Sequence, residues 1–493
     1  MGGLATAHLV VFGKDTLSDQ ESLTRKNMAR SRWVVLIAFA TTAGLNVILL
    51  GILARLGGLD LVGLWAFLNA ILLTILLADF GITNALTFQI GRDGLDEALP
   101  KLRTLLVWLL WFAALCILVS PVAWIVFGAM GFGIALTVLA GVAQLGSGWL
   151  VAIRMGQHEQ YWFNIKTIVR VVCLTGLALL FLPLIPQQTW IAFGLAFLIA
   201  ALIETAFTTY LVRADFSLRG DRAELSDVIG LSKGFGLLSL SQKALDPLAR
   251  LLISMVAGPA ALGIFTVAQR FPIVVTQAVS EALRALLPGL ARMKGQADRA
   301  AAQGLLRDAT AVQLVMVGAP VIAMAMQADV LFTVWLGQSN QSLTVSLQLM
   351  SIGIVATAST MPLFWAIQAF GDASLLARVT FVRLVLTLIL GGGAFAFTGS
   401  IEVFAAAFSL FQVMTAVLYI RLSDRYDGLG TAIIHSLPKW TLLSFFTFVV
   451  LLNLLGAQIV RDMPSVIALW IVVSINLIVA GPVGLYLVKR INK

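Results

Sequence analysis

The chain has 493 residues, of which 60% are hydrophobic and only 12% are charged, and its mean hydropathy is +0.97. A soluble protein must present a polar surface to water, so this composition excludes a water-soluble multidomain protein and indicates a membrane protein. The net charge of +9 does not indicate nucleic-acid binding, because the basic residues lie mostly between apolar runs, where they orient membrane spans.

Fourteen apolar runs are each long enough to cross a hydrocarbon core of about 30 Å as a helix. The predicted fold class is therefore an all-α polytopic membrane protein with about 14 transmembrane helices. The runs are 31–54, 62–90, 104–127, 132–153, 161–184, 189–212, 232–256, 260–290, 309–335, 343–370, 374–397, 402–420, 439–459 and 464–488.

Basic residues alternate between the connections of these spans. If the N-terminus is cytoplasmic, 26 of the 33 basic residues fall on the cytoplasmic side, including Arg92, Lys166 and Arg170. The opposite side holds only Arg55 and Arg461. The excess of Lys and Arg in cytoplasmic loops predicts that both termini are cytoplasmic.

The first hairpin recurs 200 residues later in the sequence, in a register that persists over the region 52–92. The clearest matched pairs are Gly58 with Gly258, Gly63 with Gly263, and Trp65 with Phe265. An offset of six spans, an even number, leaves both copies in the same orientation in the membrane. The repeat therefore predicts two six-helix lobes related by a pseudo-two-fold axis along the membrane normal, with two C-terminal helices added.

The predicted domains follow from this repeat. They are a cytoplasmic N-terminal segment at 1–30, an N-lobe at 31–212 with helices 1–6, a cytoplasmic linker at 213–231, a C-lobe at 232–421 with helices 7–12, and C-terminal helices 13–14 with the tail at 422–493.

Three motifs resemble one family of membrane proteins. Residues 53–66 (LARLGGLDLVGLWA) resemble the opening hairpin of Wzx-like polysaccharide and O-antigen flippases, a branch of the multidrug/oligosaccharidyl-lipid/polysaccharide exporter superfamily. Residues 77–86 (LADFGITNAL) are similar to that family's aspartate-apolar-glycine pattern, and 258–268 (GPAALGIFTVA) to its second hairpin, where the aspartate is not repeated. The resemblance implies a two-lobed fold with a V-shaped cavity, in the bacterial inner (cytoplasmic) membrane.

Ionisable residues inside spans are costly and usually mark a transport pathway. Five basic residues lie well inside spans, and four of them, Lys243, Arg250, Arg270 and Arg284, belong to the seventh and eighth spans. The fifth, Arg383, is expected to extend to the membrane surface, because it lies only about 7 Å along its helix from Arg378. On the seventh span Ser239, Gln242, Lys243, Asp246 and Arg250 recur at steps of three and four, and Arg270, Gln277, Glu281 and Arg284 form a similar stripe on the eighth.

These two spans hold four cations and two carboxylates, a surplus of two positive charges. Lys243 and Arg270 lie about 15 Å and about 16 Å from opposite edges, near the midplane where a substrate site is expected. A visiting pyrophosphate would have the required charge, so Lys243, Arg250, Arg270 and Arg284 are the predicted substrate-binding residues. The alternative is self-pairing, with Lys243 and Arg250 on Asp246 and Arg284 on Glu281.

Other polar residues are weaker candidates. Asp246, Glu281, Asp79 and Glu204 are candidates for coupling a proton or sodium ion, although Asp79 and Glu204 are more simply explained by bonds to neighbouring hydroxyl groups. The candidate cavity-lining residues are Asn46, Asn69, Gln242 and Gln277, with Asn84 a further one. No catalytic residue, cofactor or metal site is expected, since the three histidines have no partner at ligand spacing.

The sequence hypothesis is thus a flippase, and no enzyme, that uses alternating access. The resemblance implies that it moves an undecaprenyl-pyrophosphate-linked oligosaccharide to the outer leaflet for O-antigen, capsule or exopolysaccharide synthesis, with a polysaccharide polymerase and a chain-length regulator as candidate partners. Two alternatives from the same superfamily are a cation-coupled multidrug exporter, which needs an acidic cavity, and a lipid II flippase. A membrane-embedded polymerase or ligase is the alternative of another class, disfavoured by the short outer loops.

Overall fold

A computed structural model describes residues 5–224, 227, 236–283, 299–369, 373–426 and 429–437, and parts of 442–454. For residues 5–32, 237–238, 281–283 and 299 it describes the backbone alone. The α-helices are α1 (Ala5–Leu76), α2 (Ile82–Asp93), α3 (Leu95–Gly156), α4 (Tyr161–Leu184), α5 (Thr189–Val212), α6 (Gly236–Lys243), α7 (Leu245–Leu283), α8 (Arg299–Met326), α9 (Ala328–Leu336), α10 (Gln341–Ala369), α11 (Ala373–Leu386), α12 (Gly392–Thr398), α13 (Ile401–Ser423) and α14 (Leu429–Ser436). The all-α polytopic fold class is confirmed.

Nine helices in the described part are long and apolar enough to cross a membrane. Three of them, α1, α3 and α7, contain glycines with non-helical backbone angles, at Gly57 and Gly58, at Gly128, and at Gly258. A helix as long as α3, 62 residues, would extend about 90 Å, three times the thickness of the hydrocarbon core. Each of these glycines therefore divides its helix into two arms.

The two copies of the repeat turn with the same backbone geometry. Gly58 has φ 69° and ψ −166°, and Gly258 has φ 79° and ψ −174°. This region of positive φ with extended ψ is open almost only to glycine, so the matched glycines are needed at both turns.

The predicted continuous span at 62–90 is wrong, because the structure breaks it near one end. A short 3₁₀-helix, Leu77–Asp79, follows α1, and Phe80 and Gly81 then adopt left-handed conformations with φ 40° and 75°. The carboxylate of Asp79 accepts hydrogen bonds from the main-chain N–H of Thr83, at 3.1 Å, and from its hydroxyl, at 2.6 Å. Asp79 therefore stabilises the N-terminus of a new helix, α2.

The chain forms two compact units, which are described separately. The first comprises Met1–Asn46 and Ile71–Ser239, and the second comprises Val47–Ala70 and Leu240–Lys493. The hairpin Val47–Ala70, part of the N-lobe by sequence, is thus grouped with the second unit. In the first unit, α2, α3 and the end of α5 enclose a core that includes Leu86, Leu102 and Ile153.

Candidate functional site

The seventh span is interrupted beside the first predicted cation. Helix α6 ends at Lys243, the backbone bends at Ala244, and α7 begins at Leu245. Pro247 has no N–H, so it cannot donate the helical hydrogen bond to the carbonyl of Lys243. The break therefore places a helical carbonyl that lacks its usual main-chain donor beside a lysine side chain in the predicted seventh span, as in the discontinuous helices of transporters.

One turn further on, Asp246 and Arg250 form an ion pair with two contacts. The Arg250 NH2 and Nε groups lie 3.1 Å from the two carboxylate oxygens of Asp246. The side-chain amide of Gln269, on the second arm of α7, donates to the same carboxylate at 3.2 Å. The side chain of Arg250 is 11% exposed and that of Asp246 is 41% exposed, so the carboxylate remains open to solvent or a ligand.

The other two cations of this region form no direct ion pair with a carboxylate among the described residues. Arg270 is half-buried, its Nε has no hydrogen-bond partner in that part of the chain, and the nearby Asp246 carboxylate and Arg250 guanidinium act on it electrostatically. The side chain of Lys243 is exposed, and no ion pair is formed by it with any described residue. The self-pairing alternative thus holds for Arg250, which pairs with Asp246. Lys243 and Arg270 form no direct ion pair with a described residue and could each bind an anionic ligand.

The described residues of α6 and α7 hold three cations and one carboxylate within the predicted seventh and eighth spans, which leaves a surplus of two positive charges. The side chain of Glu281 and residue Arg284 lie outside the described residues. Their opposite charges sum to zero, so they do not change the surplus of positive charge. Gln242 and Gln277 are exposed, and Asn69 is half-buried on the second arm of α1.

Arg383 on α11 is the fifth basic residue that the sequence places inside a span. Its Nε is buried, again without a hydrogen-bond partner among the described residues. The residue lies beside the packed face of α11 formed by Leu376, Thr380 and Leu384. The stem of this side chain is therefore packed against protein, and the extension of its tip to the membrane surface stays a prediction.

The first unit contains an ion network within its predicted spans. Its two cations, Lys166 and Arg170, were predicted from the sequence to lie on the cytoplasmic side. Glu204 on α5 is 2% exposed, and its carboxylate lies 2.8 Å from the ammonium group of Lys166 and 3.5 Å from the Nε of Arg170, both on α4. The hydroxyl of Ser147 and the amide of Gln144 on α3 donate to it at 3.3 Å and 3.2 Å. The Glu204 carboxylate thus interacts with four donor groups on two neighbouring helices.

This network corrects the assignment of Lys166 and Arg170 to a cytoplasmic loop. Lys166 is 4% exposed in the second turn of α4, and Arg170 lies one turn deeper. The sequence could have indicated that these two residues lie inside a span, because both fall within the apolar run 161–184. They are also four residues apart, on one face of a helix. With Asp79 and Glu204, the described residues of α3–α5 and the preceding 3₁₀-helix contribute two cations and two carboxylates to this region, which leaves no net charge there.

The remaining candidates have simple partners or exposed positions. Asp79, 9% exposed, accepts a third hydrogen bond from the indole of Trp149 at 3.0 Å, in addition to the bonds from Thr83. Asn46 donates to the carbonyl of Thr42 at 2.8 Å, and Asn84 is exposed. In the described residues no group of three or more His, Cys, Asp or Glu side chains is arranged to hold a metal ion.

Comparisons with known proteins identify the family and the fold. Residues 52–344, more than half of the chain, match the model of the family described as polysaccharide biosynthesis protein. Among solved structures, the lipid II flippase MurJ in an inward closed conformation is similar with a TM-score of 0.68 and 12% identity, over 92% of this chain and 99% of that one.

An inward-facing multidrug resistance transporter of the MATE family has a TM-score of 0.59 and 15% identity, over 82% of this chain and 99% of that one. A transporter of the MOP superfamily from Pyrococcus furiosus, whose binding pocket is described as of reverse polarity, has a TM-score of 0.55 and 15% identity, over 81% and 96% of the two chains. A comparison with curated protein sequences gave no match. The chain belongs to the polysaccharide biosynthesis protein family and has the fold of the MOP superfamily, as the sequence motifs predicted.

Proposed function

We propose that this protein is a flippase that moves an undecaprenyl-pyrophosphate-linked oligosaccharide from the cytoplasmic to the outer leaflet, for the synthesis of a surface polysaccharide. The family match supports a role in polysaccharide biosynthesis. The choice of an anionic, lipid-linked substrate rests on one observation, the two cations Lys243 and Arg270 in predicted spans, which form no direct ion pair with a described carboxylate.

An unneutralised cation is expensive at this depth. A charge at the centre of a helix in the membrane costs about 2.5–3.5 kcal/mol even on insertion scales. The first unit avoids this cost by pairing Lys166 and Arg170 with Glu204, whereas the described residues of α6 and α7 keep a positive surplus. A ligand that brings negative charge to Lys243 and Arg270 would offset the cost, and a pyrophosphate supplies that charge.

In this proposal each cation has a defined role. The planar guanidinium of Arg270 binds two phosphate oxygens at once, and the Lys243 ammonium acts as a point charge at the helix break. Arg250, which is held by Asp246 without substrate, contributes when the phosphate competes for it. The glycan then occupies the aqueous pathway while the lipid tail remains in the membrane.

The contacts of Glu204 and Asp246 differ, and the difference bears on which carboxylate couples transport to an ion. Glu204 accepts hydrogen bonds or ion pairs from four groups and is 2% exposed, which favours a structural role for this carboxylate. Asp246 is 41% exposed and shares its partner with the proposed substrate, so we assign coupling to Asp246. Moving one net charge across the membrane is worth about 2.3 kcal/mol per 100 mV, which is enough to drive such an exchange.

The direct test is translocation of a fluorescent undecaprenyl-pyrophosphate-linked oligosaccharide in proteoliposomes. Lys243→Ala and Arg270→Ala are each expected to reduce the rate at least tenfold, because each removes a charge-assisted contact worth about 1.5–3 kcal/mol. Arg307→Gln is the matched control, since Arg307 is 44% exposed and pairs with its neighbour Asp308. Transport at the wild-type rate by both alanine variants would remove the proposed phosphate site.

The alternatives are separated in the same vesicles. A multidrug exporter would extrude a cationic dye, and a lipid II flippase would prefer lipid II to the oligosaccharide-linked lipid. A polymerase or ligase would change the length or linkage of the glycan instead of its leaflet. The proposal requires movement of the lipid-linked oligosaccharide with no change in its covalent structure.

A further inference from the structure

The two glycine hairpins of the repeat touch each other through their backbones. A methyl group added at Gly63 would lie 1.8 Å from the carbonyl oxygen of Pro259, and one added at Gly263 would lie 2.1 Å from the carbonyl oxygen of Leu59. The contacts are reciprocal, because Gly63 and Gly263, and likewise Leu59 and Pro259, are the matched positions of the repeat at an offset of 200. A local two-fold axis therefore passes between the hairpins.

Only glycine permits this approach. The atoms that a methyl group would meet are main-chain carbonyls, which cannot rotate away as a flexible side chain can. To reach an ordinary contact distance of about 3.5 Å, the two hairpins would have to separate by about 1.5 Å. The hydrogen atoms of Gly63 and Gly263 point at carbonyl oxygens, which is a weak Cα–H···O interaction and is easily broken and reformed.

The position of this contact suits a closure of the pathway. The turn glycines Gly58 and Gly258 lie at the ends opposite the basic loops, on the side that the charge alternation predicts to be outside. The hairpin Val47–Ala70 is fastened to the second unit by further bonds, from the Arg55 Nε to the carbonyl of Trp335 at 3.2 Å and from the Trp335 indole to the carbonyl of Val47 at 2.9 Å. Its chain enters from the first unit and returns to it.

We propose that Gly63 and Gly263 form an outer gate, a backbone-to-backbone seal that closes when the protein takes up substrate from the cytoplasmic side and parts when it releases substrate outside. This role rests on the proposed function for its purpose, but the movement can be measured without any substrate. Glycine is required at both positions because a single added methyl group keeps the seal from closing.

The test is the accessibility of a buried reporter thiol. In a Cys116→Ala/Cys173→Ala background, Thr266→Cys places a thiol three residues beyond Gly263, at a site only 4% exposed. We expect a membrane-impermeant maleimide added from outside to label it at least tenfold faster in Gly63→Ala and in Gly263→Ala. The control is Gly393→Ala, whose added methyl group meets no atom within 4 Å and which should label as slowly as the glycine parent. Equal labelling in all four proteins would refute the gate.

A second measurement covers the case in which an alanine variant does not fold. With both gate glycines retained, Leu59→Cys and Pro259→Cys are joined by a short reducible bis-methanethiosulfonate cross-linker in the cysteine-free background. The gate predicts that cross-linking stops translocation and that a reductant restores it. Unchanged translocation while the hairpins are joined would overturn the gate. Absence of translocation even before cross-linking would count against the proposed substrate, and the labelling experiment would still decide the gate.

Discussion

Replacing Glu204 with Gln should destabilise the first unit strongly. The carboxylate is 2% exposed and receives Lys166, Arg170, Ser147 and Gln144 at 2.8–3.5 Å. An amide at this position removes the negative charge and turns an NH₂ group towards donors. Lys166, whose side chain is 6% exposed, would then be a buried cation without a counter-ion, and breaking such a pair costs about 3–5 kcal/mol.

The assay is equilibrium unfolding in mixed detergent–SDS micelles, followed by circular dichroism. Lys166→Met alone should cost a similar amount, since it leaves Glu204 with fewer donors in a buried position. The double variant Lys166→Met/Glu204→Gln should be more stable than the sum of the two losses predicts, because neither buried charge then remains without its partner. Additive losses, or a loss below about 1 kcal/mol for Glu204→Gln, would refute the view that this pair acts as a unit.

Two further predictions concern local caps. Thr83→Val removes the hydroxyl that donates to Asp79 at 2.6 Å and should cost about 1.5–3 kcal/mol in the same assay, whereas Thr87→Val, which loses a bond to a main-chain carbonyl only, should cost about 1 kcal/mol. Asp424, beyond the end of α13, has a lowered pKa because the hydroxyl of Thr431 donates to its carboxylate. A lowered folded-state pKa adds stability above the unfolded value, so the advantage of the wild type over Asp424→Asn should persist above about pH 5 and fall as the pH decreases further.

Much of the architecture follows from the sequence because lipid imposes simple rules. Apolar runs predict where helices cross, and the runs at 343–370 and 374–397 are confirmed as separate spans, α10 and α11–α12. The offset of 200 predicts equivalent turns, and Gly58 and Gly258 have nearly the same backbone angles. Spacing on a single helix likewise predicts the contact of Asp246 with Arg250.

Contacts between spans are not encoded by such local rules. Lys166 and Glu204 are 38 residues apart on neighbouring helices, and only packing shows that they meet. Spacing places Arg383 about 7 Å along its helix from Arg378, but it does not show that the Nε of Arg383 is buried in the folded chain. The break after Leu76 depends on a side-chain cap by Asp79, which apolar periodicity cannot detect.

The account depends most on the claim that the second unit binds a pyrophosphate at Lys243 and Arg270. The direct measurement is calorimetric titration of the purified protein with farnesyl pyrophosphate, a soluble stand-in for the lipid carrier, with Lys243→Gln, Arg270→Gln and the control Arg307→Gln. We expect saturable binding that weakens at least tenfold in the first two variants, is unchanged in the control, and declines as salt increases. Equal affinity in all four proteins would contradict the claim.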